Sequence, residues 1–158
     1  MKRLIAMVAF ALPLAAWAGL DEGIEAYTIG DFPKALTEFQ ALADQGNVDG
    51  QYFLGLFYHN AFGVKRDQTE ALKWFLKAAQ QGDARSQYYV GIMYAAGQGV
   101  AKDLPTADMW LSLSAANPKS SYRDSLYTKE EIGKIEKKMT PEQVAQAKEL
   151  VKNWKPQN

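Results

Sequence analysis

The chain repeats itself at a period of 36 residues, and that periodicity restricts its fold more than any other feature. The stretch GVKRDQTEALKWF at 63–75 returns as GVAKDLPTADMWL at 99–111. Asp31, Asp67 and Asp103 fall in phase, followed by Ala35, Ala71 and Ala107, then by Phe39, Phe75 and Leu111. Gly46 matches Gly82, and Gln51, Tyr52, Gly55 and Tyr58 return as Gln87, Tyr88, Gly91 and Tyr94. A period of this length marks stacked supersecondary units, none of which buries its apolar face alone.

Each unit reads as two helices with explicit punctuation. Asp31, Asp67 and Asp103 stand where an N-cap oxygen is needed, and Glu70 three residues after Asp67 matches a capping box. Pro33 and Pro105 fall in the first turn, where a missing N–H costs little. Gly46 and Gly82 suit the left-handed position after a helix end, and Asn47 and Asp83 then cap the next helix. Gly55 and Gly91 lie inside helices, where glycine costs about 1 kcal/mol against alanine, so close approach of a paired helix is expected there. Trp74 and Trp110 are expected to fill the space between neighbouring pairs.

These residues carry a resemblance. The stretch GQYFLGLFYHNAFGVKRDQTEALKWFLKAAQQGDARSQYYVGIMYAAGQGVAKD is similar to the Sel-one-like repeat family, relatives of the tetratricopeptide repeats, and the pattern runs from about Tyr27 to Ala116. The resemblance implies an all-α fold, a right-handed α-solenoid of about three antiparallel helix pairs, and work as a scaffold or adaptor for other proteins. Cysteine-rich secreted relatives staple each pair with a disulfide; this chain has no cysteine. At the N-terminal end Tyr27 is aligned with Tyr58 across a shortened connection. At the C-terminal end Asn117-Pro118 replaces the expected glycine and the phase is lost. Thr128 with Glu131, and Thr140 with Pro141 and Gln143, then predict two further helices. Their stripes Ile132-Ile135-Met139 and Val144-Ala147-Val151-Trp154 fit a terminal cap over the last core face.

Residues 1–18 read as a secretory signal. Lys2 and Arg3 precede an apolar run from Leu4 to Leu14, and Ala16-Trp17-Ala18 has the small residues a signal peptidase requires. The expected organisation is a signal at 1–18, repeats at 19–117 and capping helices at 118–158, with action in the periplasm or outside the cell and no stable membrane insertion once the signal is removed. Cleavage after Ala18 leaves 16 basic and 18 acidic side chains, which argues against nucleic acid or an anionic membrane as partner. The excess is uneven: 12 acidic and 7 basic residues lie in 19–118, against 6 and 9 in 119–158.

The sequence offers little chemistry. His59 is the only histidine and has no ligand spacing around it, so no metal or other cofactor is expected. GQGV at 97–100 matches a helix-to-helix turn and not a phosphate loop. Ser112, Ser114, Ser120, Ser121 and Ser125 have no activating context, and no enzyme is expected. The resemblance implies instead that the first helix of each pair lines a concave face. The strip at i, i+4 and i+7 spacing carries Tyr52, Leu56, His59 and Asn60 in one unit and Arg85, Tyr88 and Ile92 in the next, as the surface for a protein or peptide partner. Phe53, Phe57, Tyr89 and Met93 are assigned to packing between helices. The leading expectation is an adaptor, scaffold or immunity-type binder. A peptidoglycan or glycan binder stacking sugars on Tyr52 and Tyr88 is the alternative, and a weak β-lactam hydrolase, implied by some cysteine-rich relatives, is the remote one.

Overall fold

The computed structural model describes residues 13–157, and all regular structure among them is helical. Eight helices follow in order: α1 (Pro13–Ile29), α2 (Phe32–Asp44), α3 (Val48–Asn60), α4 (Gln68–Gln80), α5 (Ala84–Ala96), α6 (Leu104–Ala116), α7 (Tyr122–Glu136) and α8 (Pro141–Asn153). Each of α2 to α7 packs on the helix before it, and α8 packs on α6. The fold is an all-α helical-repeat solenoid. Most of the expected export signal, 1–12, lies outside the described residues; α1 contains the remainder and runs on through residue 19.

The expected punctuation is observed. Asp31, Asp67 and Asp103 each accept a backbone N–H three residues on, as do Asn47 and Asp83. Gly46 and Gly82 follow the helix ends with φ of 81° and 88°. One expectation fails in part. Glu70 does not complete a capping box with Asp67, because its carboxylate turns to Lys73 Nζ at 3.0 Å. The complete box occurs at Thr140 and Gln143.

Tight helix pairing accounts for the interior glycines. A Cβ built on Gly55 would lie 2.5 Å from the Phe75 ring, and one on Gly91 would lie 2.6 Å from Leu111. The adjoining contact repeats in phase: Phe39 stacks on Phe53 at 4.2 Å between centroids and Phe75 on Tyr89 at 4.7 Å, both nearly coplanar. Trp74 is buried with Ala35, Phe39 and Phe57 of the preceding helices, and Trp110 with Leu72, Phe75 and Met93, so each tryptophan fills the seam expected for it.

The N-terminal pair obeys the same packing in a different register. Gly23 meets Phe39 as Gly55 meets Phe75. Asp31 N donates to Ala26 O, whereas Asp67 N donates to Tyr58 O and Asp103 N to Tyr94 O. Ala26 is therefore the counterpart of Tyr58, and Tyr27 that of His59: Tyr27 lies beside Phe53 at 6.0 Å as His59 lies beside Tyr89 at 5.7 Å. The alignment of Tyr27 with Tyr58 is off by one residue.

The tail also starts differently from its expectation. Ser121 caps α7, its hydroxyl accepting Asp124 N, and Thr128 lies inside the helix with its own hydroxyl donating to Asp124 O. Ile132, Ile135 and Met139 pack on Ala107 and Leu111 of α6, as their spacing suggests. Ala147 is buried on α8, while Val151 and Trp154 reach the Trp110 cluster, and Gln157 N donates to Gln80 O at the end of α4.

Candidate functional site

Helices α3, α5 and α7 lie side by side, and their approach is set by the connections that precede them. Three residues, 45–47 and 81–83, join α2 to α3 and α4 to α5, whereas five, 117–121, join α6 to α7. A side-chain amide locks each step to the previous turn: Gln81 Nε2 donates to Gly46 O at 3.2 Å, and Asn117 Nδ2, one period later, donates to Gly82 O at 2.9 Å. The lock is kept while the connection lengthens. Next to it lies an open cavity of about 400 Å³ between α5 and the start of α7.

The floor and walls are rich in tyrosine. Tyr52, Tyr88 and Tyr89 come from α3 and α5, and Tyr127 comes from α7. Tyr88 lies 5.9 Å from Tyr127, much as Tyr52 lies 6.2 Å from Tyr89 one step earlier. Burial, with Tyr89 adding to it and Arg85 opposing, pushes the Tyr52 phenol up to about 12. Burial and the neighbouring Tyr127 raise Tyr88 above its usual range as well. The Tyr52 and Tyr88 phenols are therefore neutral hydrogen-bonding groups at physiological pH.

Arg85 lies across the Tyr52 ring with its guanidinium carbon 4.2 Å from the centroid, a cation–π contact. Nη2 reaches Asp49 Oδ1 at 2.6 Å and Asp83 Oδ2 at 2.9 Å, and Nε also donates to Asp83. Burial works against its charge, but hydrogen bonds to the two carboxylates overcome this and hold the guanidinium above its ordinary pKa. The remaining walls are Ala84 of α5, Ser114 of α6, the connection residues Lys119 to Ser121, and Asp124 and Thr128 of α7.

Of the residues predicted from sequence, the cavity brings together Tyr52, Arg85 and Tyr88. Four others lie elsewhere. Leu56 is buried in the core with Phe75 and Val90. Ile92 packs on the Ala107–Leu111–Ile135 cluster under α7. His59 Nδ1 pairs with Gln68 Oε1 at 2.9 Å while Gln68 Nε2 donates to His59 O, so the imidazole ties α3 to the start of α4. Asn60 Nδ2 donates back to Leu56 O at the helix end. The reason is geometric: Leu56 and Ile92, four residues after Tyr52 and Tyr88, lie about 40° round the helix toward the packed interior, whereas His59 and Asn60 lie about two turns further along the axis.

Tyr89, Lys119, Asp124 and Tyr127 line the cavity and were absent from the sequence-based strip. Tyr89 had a usable signal, since a phenol at a core phase occupied by Phe53 one period earlier needs a polar outlet. The other three lie beyond the last in-phase residue, where the period gives no guide.

None of the five serines singled out above donates to the histidine. Ser114, Ser120 and Ser125 donate to backbone carbonyls, and Ser112 and Ser121 to Asp108 and Asp124. Among the described residues no group of three or more His, Cys, Asp or Glu side chains is placed to hold a metal ion, and no helix is long and apolar enough to cross a membrane.

Residues 48–83 and 84–118 match the family model described as Sel1 repeat, so this segment holds two Sel1 repeats. Each match begins with an odd-numbered helix, α3 or α5, and ends after the following even-numbered one, α4 or α6. Among solved structures, the chain is similar to a protective antigen present in uropathogenic Escherichia coli strains displaying an SLR fold. That match has 30% identity and a TM-score of 0.81, over 88% of this chain and 29% of the other. A second similar structure is a Sel1 repeat protein from Oxalobacter formigenes, with 33% identity and a TM-score of 0.57, over 59% of this chain and 38% of the other. This chain thus spans less than two fifths of the length of either relative. No curated protein matches. Sel1 repeats are helical protein–protein interaction modules, generally without catalytic activity.

Proposed function

We propose that the chain is an exported, non-enzymatic binding module whose α3–α5–α7 groove holds an extended segment of a protein partner. The observation that carries this reading is the 400 Å³ cavity walled by Tyr52, Tyr88, Tyr89 and Tyr127. Tyrosine supplies large contact area at low entropic cost, and its hydroxyl satisfies a peptide group on the way in. The rest of the molecule serves to hold these rings in place: seams of Phe and Trp fix the helices, and the amide locks fix their offset.

Export rests on the basic start, the apolar run and the Ala16-Trp17-Ala18 site. Cleavage after Ala18 leaves Leu20, Gly23, Ala26 and Tyr27, which pack on α2 and α3, within the mature chain. Expression of the full chain, followed by intact mass of the protein recovered from the periplasm and medium, tests this step; a product starting at Gly19 is expected, and retention of residue 1 counts against it.

The binding role is tested by capture from an envelope extract with the exported protein beside a Tyr88→Ala/Tyr127→Ala variant of unchanged circular dichroism. A partner recovered by the first and lost by the second is expected. Equal recovery by both removes the groove assignment, and retention on insoluble peptidoglycan with no protein partner replaces the peptide by a glycan.

A further inference from the structure

We infer that the groove selects an acidic peptide, with a ligand carboxylate between Arg85 and Lys119 and an apolar or aromatic ligand side chain against Tyr88 and Tyr127. This rests on the groove reading above and names the chemistry of its occupant. The molecule contains a counterpart for comparison, in which the ring already carries a paired cation. At the tight step from α3 to α5, Arg85 lies over Tyr52, closed in by Asp49 and Asp83. At the wide step from α5 to α7, the longer connection leaves Tyr88 facing the cavity, and the charges facing it there include two cations.

The two cations differ in how they are held. Arg85 uses Nε and Nη2 on Asp49 and Asp83, leaving Nη1 without a partner among the described residues. Lys119 is anchored by its backbone, whose N–H donates to Asn117 Oδ1, and its ammonium has no carboxylate within ion-pair distance among the described residues. The acidic wall residue, Asp124, accepts the Ser121 hydroxyl at 2.6 Å. A ligand carboxylate at the Nη1 edge completes the guanidinium's fork of donors and gives Lys119 a counter-ion. Because Asp49 and Asp83 already offset the charge of Arg85, Lys119 supplies most of the discrimination.

The test uses a phage-displayed random heptapeptide library selected on the exported full-length product. The recovered sequences are then synthesised, each with a Glu→Gln or Asp→Asn twin. Affinities are measured for wild type, Lys119→Gln, Tyr127→Ala and Lys152→Gln, the last an exposed lysine of α8 outside the groove. Lys119 and Tyr127 are both exposed, so these substitutions leave the fold intact.

The expected result is enrichment of Asp or Glu beside a large apolar residue. Loss of the peptide carboxylate and loss of the Lys119 ammonium each weaken binding by about ten-fold, and the two losses are not additive. Lys152→Gln leaves affinity unchanged. If Tyr127→Ala abolishes binding while the Gln twins and Lys119→Gln bind as before, the acidic preference is overturned and the groove survives. Selection of Lys- or Arg-rich peptides also overturns it. If no peptide is recovered, or if those recovered ignore Tyr127→Ala, the preference and the groove fall together.

Discussion

Two neighbouring steps of the same solenoid treat the same surface in opposite ways. The link that enters α5 has three residues, and there Arg85 lies over Tyr52 with its guanidinium paired to carboxylates from the same two units. The link that enters α7 has five, and there Tyr88 faces the cavity beside Tyr127. The amide lock is the same at both, Gln81 to Gly46 O and Asn117 to Gly82 O. The repeat geometry therefore carries over as far as Asn117, and the opening begins with the two extra residues of the connection that follows it.

The comparison can be broken most severely at the seams. Trp74→Ala and Trp110→Ala should each cost about 3–5 kcal/mol in denaturant unfolding, from lost burial and the cavity left behind. Trp110→Ala should also release Trp154, whose ring lies 6.2 Å away, and so lower the protection of α8 in hydrogen exchange; Trp74→Ala should not. Similar costs at the two sites would show that both steps rest on equally firm ground.

A milder intervention is the pair Gly55→Ala and Gly91→Ala. Overpacking against Phe75 or Leu111 costs about 1–3 kcal/mol, offset in part by about 1 kcal/mol of helix propensity. Both should still lower the thermal midpoint, and a rise in either would mean that the helices separate at little cost. Removing the locks is smaller again. Gln81→Ala and Asn117→Ala should each cost about 1 kcal/mol, since Gln81 also donates to the buried Gln51 at 2.8 Å, while Asn117 also accepts Lys119 N and shapes the longer connection. Only Asn117→Ala should weaken peptide binding; equal effects on binding would erase the distinction between the steps.

The smallest effect depends on pH. Asp108 is buried on α6, near Glu136 at the end of α7 and Lys148 of α8, and burial holds its carboxyl above the ordinary range; Ser112 opposes this, Glu136 adds to it, and Lys148 opposes it. A raised pKa means that the protonated form favours folding, so its contribution is full below the ordinary carboxylate value and is lost as pH rises through the raised one. Thermal melts of wild type and Asp108→Asn between about pH 4 and 7 should diverge as pH rises, with the variant relatively more stable. A constant difference would show that the carboxylate is solvated.

The frame was legible in the sequence because its determinants recur. Asp67 and Asp103, Gly55 and Gly91, and Trp74 and Trp110 occupy equivalent places in successive units, and recurrence separates structural need from chance. The first pair was misread by one residue because the link between α1 and α2 is shorter and Gly23, the marker of the true register, falls outside the period. Thr128 with Glu131 looked like a helix start because local cap chemistry does not reveal that Ser121 already provides one. The groove was legible only in half. Tyr52, Arg85 and Tyr88 lie on repeating helices, whereas Lys119, Asp124 and Tyr127 depend on where a non-repeating segment returns in space. Leu56 and Ile92 lie on the same broad face as Tyr52 and Tyr88, but at its edge, where the spacing alone does not reveal the neighbouring helix that packs on them.

The five-residue link before α7 has an evolutionary corollary. Aperture and charge at the mouth of the groove are both governed by a few solvent-facing positions outside every packed seam. Exchanging Pro118 and Lys119 for other residues, or trimming them, could redirect partner choice without a compensating change in the interior, so recognition can diversify quickly on a slowly changing scaffold.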